Sequence, residues 1–211
     1  MKVLNLYAGI GGNRKLWTNV EVTAVEWDEK IAAIYQDFFP DDKVIVTDAH
    51  EYLVKHFKEF DFIWSSIECT SHSRVRFWAS VSNKRYSPIY PDLKLYEEIL
   101  FLVHYFKGLW IVENVKPFYV PLIAPNIEIG RHCFWTNFLI RSKVFPEANI
   151  NRGIIKDWQK LHGFDISNYK INKRKDKVLR NCVLPELGLH ILECARGIIK
   201  EQDVTQKTIF D

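Results

Sequence analysis

The chain is poor in the features that define several protein classes. None of its apolar stretches approaches the roughly 18 residues needed to span a bilayer, and no signal-peptide pattern opens it. Its four cysteines, at positions 69, 133, 182 and 194, form no C-x-x-C pair, so neither a zinc ribbon nor a disulfide framework is indicated. We therefore expect a soluble, cytoplasmic protein without a membrane or metal partner, in a reduced compartment that suits a thiol nucleophile.

The composition fits one compact domain with an uneven charge distribution. The 211 residues are 47% hydrophobic, which suffices to bury a substantial core. Residues 1–70 carry 7 basic and 12 acidic side chains, whereas residues 71–211 carry 22 and 14. Within the second part, residues 141–180 hold 11 basic and 4 acidic residues. This charge pattern favours nucleic acid as a partner over a merely lysine-rich, solvated surface.

Strand and helix patterns alternate along the first half of the chain. Short apolar stretches predict strands near residues 2–7, 21–26, 43–46, 60–65 and 109–113. Helical periodicity occurs at residues 29–38, 49–57 and 93–106, and the turn after the first strand leads into a helix-compatible stretch at 13–18. Such alternation predicts an α/β fold with a doubly wound, mostly parallel sheet.

The second half of the chain is less regular. The segment from Cys133 to Ile140 is rich in β-branched and aromatic residues and predicts further strands, with an antiparallel arrangement open. Residues 141–177 mix proline, glycine, asparagine and lysine, which is typical of an irregular module, here a basic one. A final helix is predicted after Pro185, with an apolar face that extends to Ile198.

A thiol and a carboxyl group follow two of the predicted strands. Cys69 ends an apolar stretch and begins a polar one, and Glu113 follows the apolar residues 108–112. Open α/β sheets bind ligands at the carboxyl ends of their parallel strands. Cys69 and Glu113 are therefore expected to face one pocket, although a free cysteine is also commonly a small buried hydrophobe.

The start of the chain supplies a candidate cofactor site. Gly9, Gly11 and Gly12 follow the first strand, where glycines let the backbone approach a ligand closely. Their spacing differs from G-x-G-x-x-G, so the alternative is simply a tight turn. Glu26 and Trp27 end the second strand, where an acidic residue can bind ribose hydroxyls and an aromatic ring can cover an adenine.

Taken in order along the chain, these motifs resemble those of the cytosine-5 methyltransferase family, whose members use S-adenosylmethionine and act on DNA, with a related branch that acts on tRNA. The matching stretches are residues 6–12, 26–28, 47–48, 69, 113–115 and 180–183. The resemblance spans nearly the whole chain. It implies a Rossmann-like S-adenosylmethionine-dependent methyltransferase fold and DNA as the partner, with RNA open.

The resemblance implies a role at the reacting base for four residues. Cys69 would add to C6 of a flipped-out cytosine, and Glu113 would hydrogen-bond the Watson–Crick edge of that base. Asn114 would support the loop that carries these groups, and Arg131 matches an arginine of a further family motif. His132 is offset from that motif and is interpreted as a packing residue.

The same resemblance implies the cofactor contacts. These are Tyr7, Ala8, Gly9, Gly11, Gly12, Glu26, Trp27, Asp48, Asn181 and Val183. Asp48 would bind the adenine amino group, or alternatively cap the helix that follows it. Arg180 replaces the glycine usual in the final motif, and it would contact the methionine carboxylate or a phosphate, or cap the next helix.

Basic residues are frequent after Cys69. Arg74, Arg76, Lys84 and Arg85 lie in what the resemblance implies is a loop that closes over DNA, so they are candidate phosphate contacts. A solvated basic loop is the alternative.

The chain is predicted to consist of three parts with different roles. Residues 1–140 form the catalytic core, residues 141–177 a short target-recognition-like basic segment, and residues 178–211 a carboxyl-terminal motif and helix that complete the core. The middle part is too short for a full target-recognition domain. The protein therefore reads a very short site, relies on a protein partner for specificity, or acts largely independently of sequence.

The position before Cys69 departs from the family, which has proline where this chain has Glu68. A carboxylate close to the thiol opposes thiolate formation. Two hypotheses of different class follow: an active DNA cytosine-5 methyltransferase, and a non-catalytic methyltransferase-like subunit that binds S-adenosylmethionine and nucleic acid. The presence of both Cys69 and Glu113 favours the enzyme, in a bacterial, archaeal or phage context.

Overall fold

A computed structural model describes residues 1–82, 86–145, 154–172 and 174–198. Within them the strands are β1 (Lys2–Leu6), β2 (Glu21–Glu26), β3 (Lys43–Val46), β4 (Phe62–Ser66), β5 (Leu109–Val115), β6 (Ile127–Ile129) and β7 (His132–Thr136). The helices are α1 (Glu29–Phe38), α2 (Ala49–His56), α3 (Arg74–Val81), α4 (Lys94–Tyr105), α5 (Ile155–His162), α6 (Lys175–Arg180) and α7 (Pro185–Ala195). The predicted α/β fold class is confirmed.

All seven of these strands form one sheet in the order β3-β2-β1-β4-β5-β7-β6. The first five run parallel, and β7 lies antiparallel between β5 and β6. The chain winds outward from β1 through β2 to β3, and then returns to place β4 on the other side of β1. The carboxyl ends of β1 and β4 therefore flank the topological switch point, where sheets of this kind bind their ligands.

Helices cover both faces of the sheet, which explains why β1 is apolar almost throughout. Its residues from Val3 to Leu6 are fully buried, as expected for a central parallel strand. On one face Leu6 and Val112 pack with Leu53 of α2 and Leu102 of α4. On the other face the cluster around Val3 includes the apolar side of α7, and the cluster of β2 and α1 adjoins it.

The predicted helix at residues 13–18 is not formed. This stretch is a series of turns, in which Arg14 N–H donates to the Gly11 carbonyl and Trp17 N–H to that of Arg14. Asn13 is held by a buried amide pair, since its Nδ2 donates to Asn5 Oδ1 at 2.8 Å. The buried Trp17 indole donates to the Gly188 carbonyl at 3.0 Å. These tertiary contacts win over the weak local preference for helix.

The basic segment 141–177 contains more structure than its composition indicates. Its residues 146–153 and 173 lie outside the described part, but α5 and the first turn of α6 fall within the segment. Trp158, Phe164 and Ile166 are buried in the same cluster as Ile34 of α1. Gly163 ends α5 in the left-handed conformation, at φ +68°. The segment therefore packs against α1 and β2 instead of standing apart from the rest of the fold.

The final helix ends earlier than predicted. α7 stops at Ala195, and Ile198 is exposed beyond it. In the described ranges no helix has both the length and the apolar character that a membrane crossing requires. All four cysteines are free.

Candidate functional site

A pocket opens at the switch point, between the carboxyl ends of β1, β2, β4 and β5 and the segment around α6. Gly9, Glu26, Cys69 and Glu113 all line it. The structure thus brings together the four sequence motifs that were expected to share a site.

Glu26 is fixed by the backbone around it. Its Oε2 accepts from Gly9 N–H and its Oε1 from Asp28 N–H, both at 3.0 Å. The carboxylate is buried yet lines the pocket. Trp27 also lines the pocket and is 64% exposed, so its ring is accessible to a flat ligand.

The glycines after β1 have different surroundings. Gly9 adopts φ +56°, and a Cβ there would meet no atom within 4 Å, so its backbone faces open space in the pocket. Gly11, at φ +85°, does not line the pocket and abuts Phe39 and Tyr35 of the α1 region. Gly12 abuts the carboxyl-terminal motif, because a Cβ on it would lie 2.6 Å from that of Cys182. Tyr7 and Ala8 also line the pocket.

The carboxyl-terminal motif forms the wall opposite these glycines. Asn181 and Val183 line the pocket, as does Arg180. The Arg180 guanidinium lies 4.0 Å from Asp176 and makes no cap to α7, whose N-cap residue is Leu184. The ligand-facing alternative for Arg180 is thus the one that fits its position.

Asp48 caps the helix that follows it, which is the second of the two roles considered for it. Its Oδ1 accepts from Glu51 N–H at 2.9 Å, which caps α2. It does not line the pocket. The structure therefore supports the helix cap, and it shows no pocket position for the adenine contact.

Cys69 lies in the turn between β4 and α3, where its carbonyl accepts from the N–H groups of His72 and Ser73. Partial burial raises the pKa of the Cys69 thiol, and the Glu113 and Glu68 carboxylates raise it further. Arg131 opposes them. The effect expected of Glu68 is present, but it is smaller than those of burial and Glu113.

Glu113 is buried at the end of β5 and joined to β7 by His132. The His132 Nδ1 lies 2.5 Å from Glu113 Oε1, and Arg131 Nε donates to His132 Nε2 at 3.1 Å. Because Nε2 accepts, the proton of a neutral imidazole resides on Nδ1 and is donated to Glu113. Burial alone would raise the pKa of Glu113, but His132, Ser66 and Arg131 outweigh burial and hold that pKa below its ordinary value.

His132 is thus a site residue that sequence reasoning interpreted as packing. It is buried, and it pairs across the sheet with Val115, just beyond Glu113. Its signal in the sequence is weak, because a lone histidine at the start of a strand identifies neither its face nor its partner.

Asn114 lies behind the pocket and ties two strand ends together. Its Nδ2 donates to the Ile67 carbonyl at 3.1 Å, and its Oδ1 accepts from Val115 N–H at 2.9 Å. Since Ile67 precedes Cys69 by two residues, Asn114 fixes the spacing between the thiol turn and Glu113. Its position fits the supporting role expected of it.

Arg131 links the turn before β7 to the carboxyl-terminal motif. Its guanidinium donates to the carbonyls of Arg180 and Cys182, the latter at 3.3 Å. It lines the pocket together with Cys69 and Glu113. A single side chain therefore contacts the Glu113 partner and the wall that faces the cofactor glycines.

Arg74 and Arg76 lie outside the pocket. They belong to α3 and not to a loop. Arg74 Nε donates to the Pro117 carbonyl, and the Arg76 guanidinium lies over the Tyr86 ring. Arg74 is exposed. Lys84 and Arg85 lie outside the described residues.

Solved structures of other proteins have a similar architecture. The Entamoeba histolytica methyltransferase EhMeth aligns over 95% of this chain and 99% of its own, with a TM-score of 0.55 and 13% identity. A Spodoptera frugiperda DNMT2 variant is 23% identical over 56% of this chain and 36% of its own, with a TM-score of 0.41. No curated protein sequence matches. The fold is that of an S-adenosylmethionine-dependent methyltransferase.

The family follows from the sequence of the catalytic part. The model of the C-5 cytosine-specific DNA methylase family matches residues 1–119, more than half of the chain. The protein belongs to this family, and its cofactor is S-adenosylmethionine. The pocket suits that cofactor, because the Cβ-free surface of Gly9 leaves room beside the Glu26 carboxylate and the Trp27 ring.

Proposed function

We propose that the protein is a DNA cytosine-5 methyltransferase that works through a covalent bond between Cys69 and C6 of a flipped-out cytosine. The observation that carries this proposal is that Cys69 and Glu113 line the same pocket as the cofactor residues Gly9 and Glu26. The thiol, the carboxyl group and the methyl donor must all reach the same base, and a shared pocket allows them to do so.

Each of these residues has a definite task in the proposed reaction. The Cys69 thiolate forms an S–C6 bond, the C5=C6 electron pair moves through C4 onto N3, and N3 takes a proton from solvent, which a hydrogen bond to the Glu113 carboxylate stabilises. Bound S-adenosylmethionine supplies an electrophilic methyl group for C5. Loss of the C5 proton to solvent returns the electron pair to the ring and expels Cys69. N3 returns its proton to solvent, so the methylated base is neutral and the Cys69 thiolate and the Glu113 carboxylate are both regenerated.

Residues outside the pocket complete the proposal. We assign residues 1–140 to the catalytic core and residues 178–211 to its completion, which the contact of Gly12 with Cys182 supports for the described part. The segment 141–177 would contact the target, since it is basic and α6, which begins in it, lines the pocket. Arg74 and Arg76, with Lys84 and Arg85, would contact phosphates.

One observation favours a second candidate, a non-catalytic subunit that binds S-adenosylmethionine and nucleic acid. The raised pKa of Cys69 leaves little thiolate at neutral pH, and no proline precedes this cysteine. The surroundings of a catalytic cysteine normally favour the thiolate. The two candidates differ in whether Cys69 ever bonds to a base.

Trapping on 5-fluorocytosine decides between them. Fluorine at C5 cannot leave as a proton does, so after methyl transfer an active enzyme stays bonded to the DNA and survives denaturing electrophoresis. We expect an adduct that requires S-adenosylmethionine, is lost in Cys69→Ser and is retained in Cys194→Ser. A parallel RNA pool identifies an RNA substrate. Cofactor binding without an adduct, from pH 6 to 10, would establish the non-catalytic candidate.

A further inference from the structure

A second cavity shares Arg131 and His132 with the cofactor pocket. It is lined by residues of the β6–β7 turn, residues 142–145, α5, α6 and the start of α7. Its volume is about 1340 Å³, ample for a nucleotide. Arg131 and His132 line both spaces, so a strand whose target base entered the first pocket would pass close to the second.

Two of the side chains that line this cavity have polar atoms without hydrogen-bond partners. Eight buried side-chain nitrogen atoms of the described residues have no hydrogen-bond partner, and three of them are Trp158 Nε1, His162 Nδ1 and His162 Nε2. Both side chains line the cavity and are only 7% and 2% exposed. Buried donors and acceptors without partners are rare because each costs free energy. A ligand that supplied partners would recover that cost.

The geometry of these two side chains fits a heterocycle. The Trp158 and His162 rings lie 5.9 Å apart with planes only 7° from parallel. Burial, with Arg131 and His132 nearby, lowers the pKa of His162 to about 4. The imidazole is therefore neutral, with one nitrogen that donates and one that accepts, while the indole only donates. A nucleobase edge carries matching donors and acceptors.

The charges around the cavity suit a phosphate. Lys143, Arg174 and Arg180 line it, against Glu128 and Asp176. Asp176 accepts two bonds from Arg174, at 2.8 and 2.9 Å, and Glu128 lies 2.8 Å from Lys116. Both carboxylates are thus already neutralised by cations. Lys143 and Arg180 leave the cavity with a positive balance.

We propose that this cavity binds a nucleotide that neighbours the target cytosine in the same strand, with its base against Trp158 and His162 and its phosphate near Arg180 and Lys143. The assignment rests on the proposed function, because it takes the first pocket as the site of the target base. It gives the protein contact with a flanking base from within the core, without a separate recognition domain.

An abasic scan tests the proposal. Duplex pools carry one central cytosine in randomised flanks, and each further pool lacks the base at one flanking position of the target strand. Affinity is measured by fluorescence anisotropy with S-adenosylhomocysteine at fixed salt. For the wild-type protein we expect one flanking position to lower affinity on the order of tenfold when its base is removed.

The variants assign that position to the cavity. Trp158→Phe removes the indole N–H, and His162→Phe removes both ring nitrogens while each keeps a flat ring. We expect the abasic penalty to shrink in both and to persist in Trp78→Phe, a change at an exposed indole on α3. A wild-type scan with no sensitive position, or a penalty unchanged in both variants, would overturn the site.

The scan and the trapping experiment can fail separately. If a 5-fluorocytosine adduct forms and no flanking base matters, the second cavity is not a nucleotide site and the proposed function stands. If a flanking base matters through Trp158 and His162 but no adduct ever forms, the cavity stands and the covalent function falls.

Discussion

Two carboxylates and one guanidinium surround the Cys69 thiol and set its reactivity. Partial burial, Glu113 and Glu68 raise the pKa of the thiol, and Arg131 opposes them. A raised pKa means that the thiolate fraction grows as pH rises above neutral. Cys69 is therefore held mostly as a thiol at neutral pH.

His132 provides a prediction about Glu113. In His132→Ala the pKa of Glu113 should rise, because its nearest charge-stabilising partner is gone and burial remains. The acidic limb of the pH dependence of trapping should move to higher pH, and the unfolding free energy at pH 7 should fall by roughly 3 kcal/mol. His132→Asn, which can place an N–H near Glu113, should restore part of both. A slower reaction with an unmoved acidic limb would show that His132 only packs.

Glu26 provides a prediction about the cofactor. Glu26→Ala should weaken S-adenosylhomocysteine binding at least about tenfold, since a hydrogen bond to a charged group contributes roughly 1.5–3 kcal/mol. Calorimetry measures the affinity. Glu26→Gln is the matched control, because it keeps an acceptor oxygen without the charge and should bind with intermediate affinity. Equal affinity of a folded Ala variant and the wild type would remove Glu26 from the cofactor site.

The site residues that the sequence identifies differ from the one it misses in their position relative to the apolar stretches. Cys69, Glu113 and Glu26 each lie at or just after the end of an apolar stretch, so the sequence pattern places them near the ligand edge of the sheet. His132 became visible only through its partner across the sheet. Asp48 ends a strand too, but its cap to α2 competes with ligand contact.

At the scale of elements, the parallel strands and the helices α1, α2 and α4 were predictable from their apolar periodicity. α5 was not, because the glycines, asparagines and lysines around it indicate irregular structure. Gly163, just after it, was the available signal for a helix end. The turns at residues 13–18 could not be predicted, because distant contacts such as that of Trp17 with Gly188 determine them.

That contact leads to a prediction about α7. A Cβ at Gly188 would lie 2.2 Å from the Asn13 carbonyl oxygen, so Gly188→Ala must displace the turn that follows the cofactor glycines. We expect a loss of roughly 1–3 kcal/mol in stability and weaker S-adenosylhomocysteine binding, although Gly188 does not line the pocket. Thermal denaturation with and without ligand measures both. In Gly197→Ala, where nothing lies within 4 Å, ligand affinity should remain unchanged.

At the scale of the whole molecule, His162 ties stability to pH. Its pKa is about 4 in the folded protein against an ordinary 6.5, so the unfolded chain takes up the proton first as pH falls. Stability present above pH 6.5 is therefore lost between about 6.5 and 4, by roughly 3 kcal/mol. In urea titrations, His162→Phe should flatten this loss, and His104→Gln, at an exposed position, should not. Parallel slopes for His162→Phe and wild type would contradict the assignment.

The contact of Gly12 with Cys182 and Val183 also bears on how the protein is made. Synthesis delivers the glycine turn early and its opposing wall late, so a growing chain that already has β1 to β5 still lacks one side of the cofactor pocket. S-adenosylmethionine therefore cannot stabilise the nascent chain until residue 183 has left the ribosome. Any gain in folding yield from added cofactor should arise only after that point.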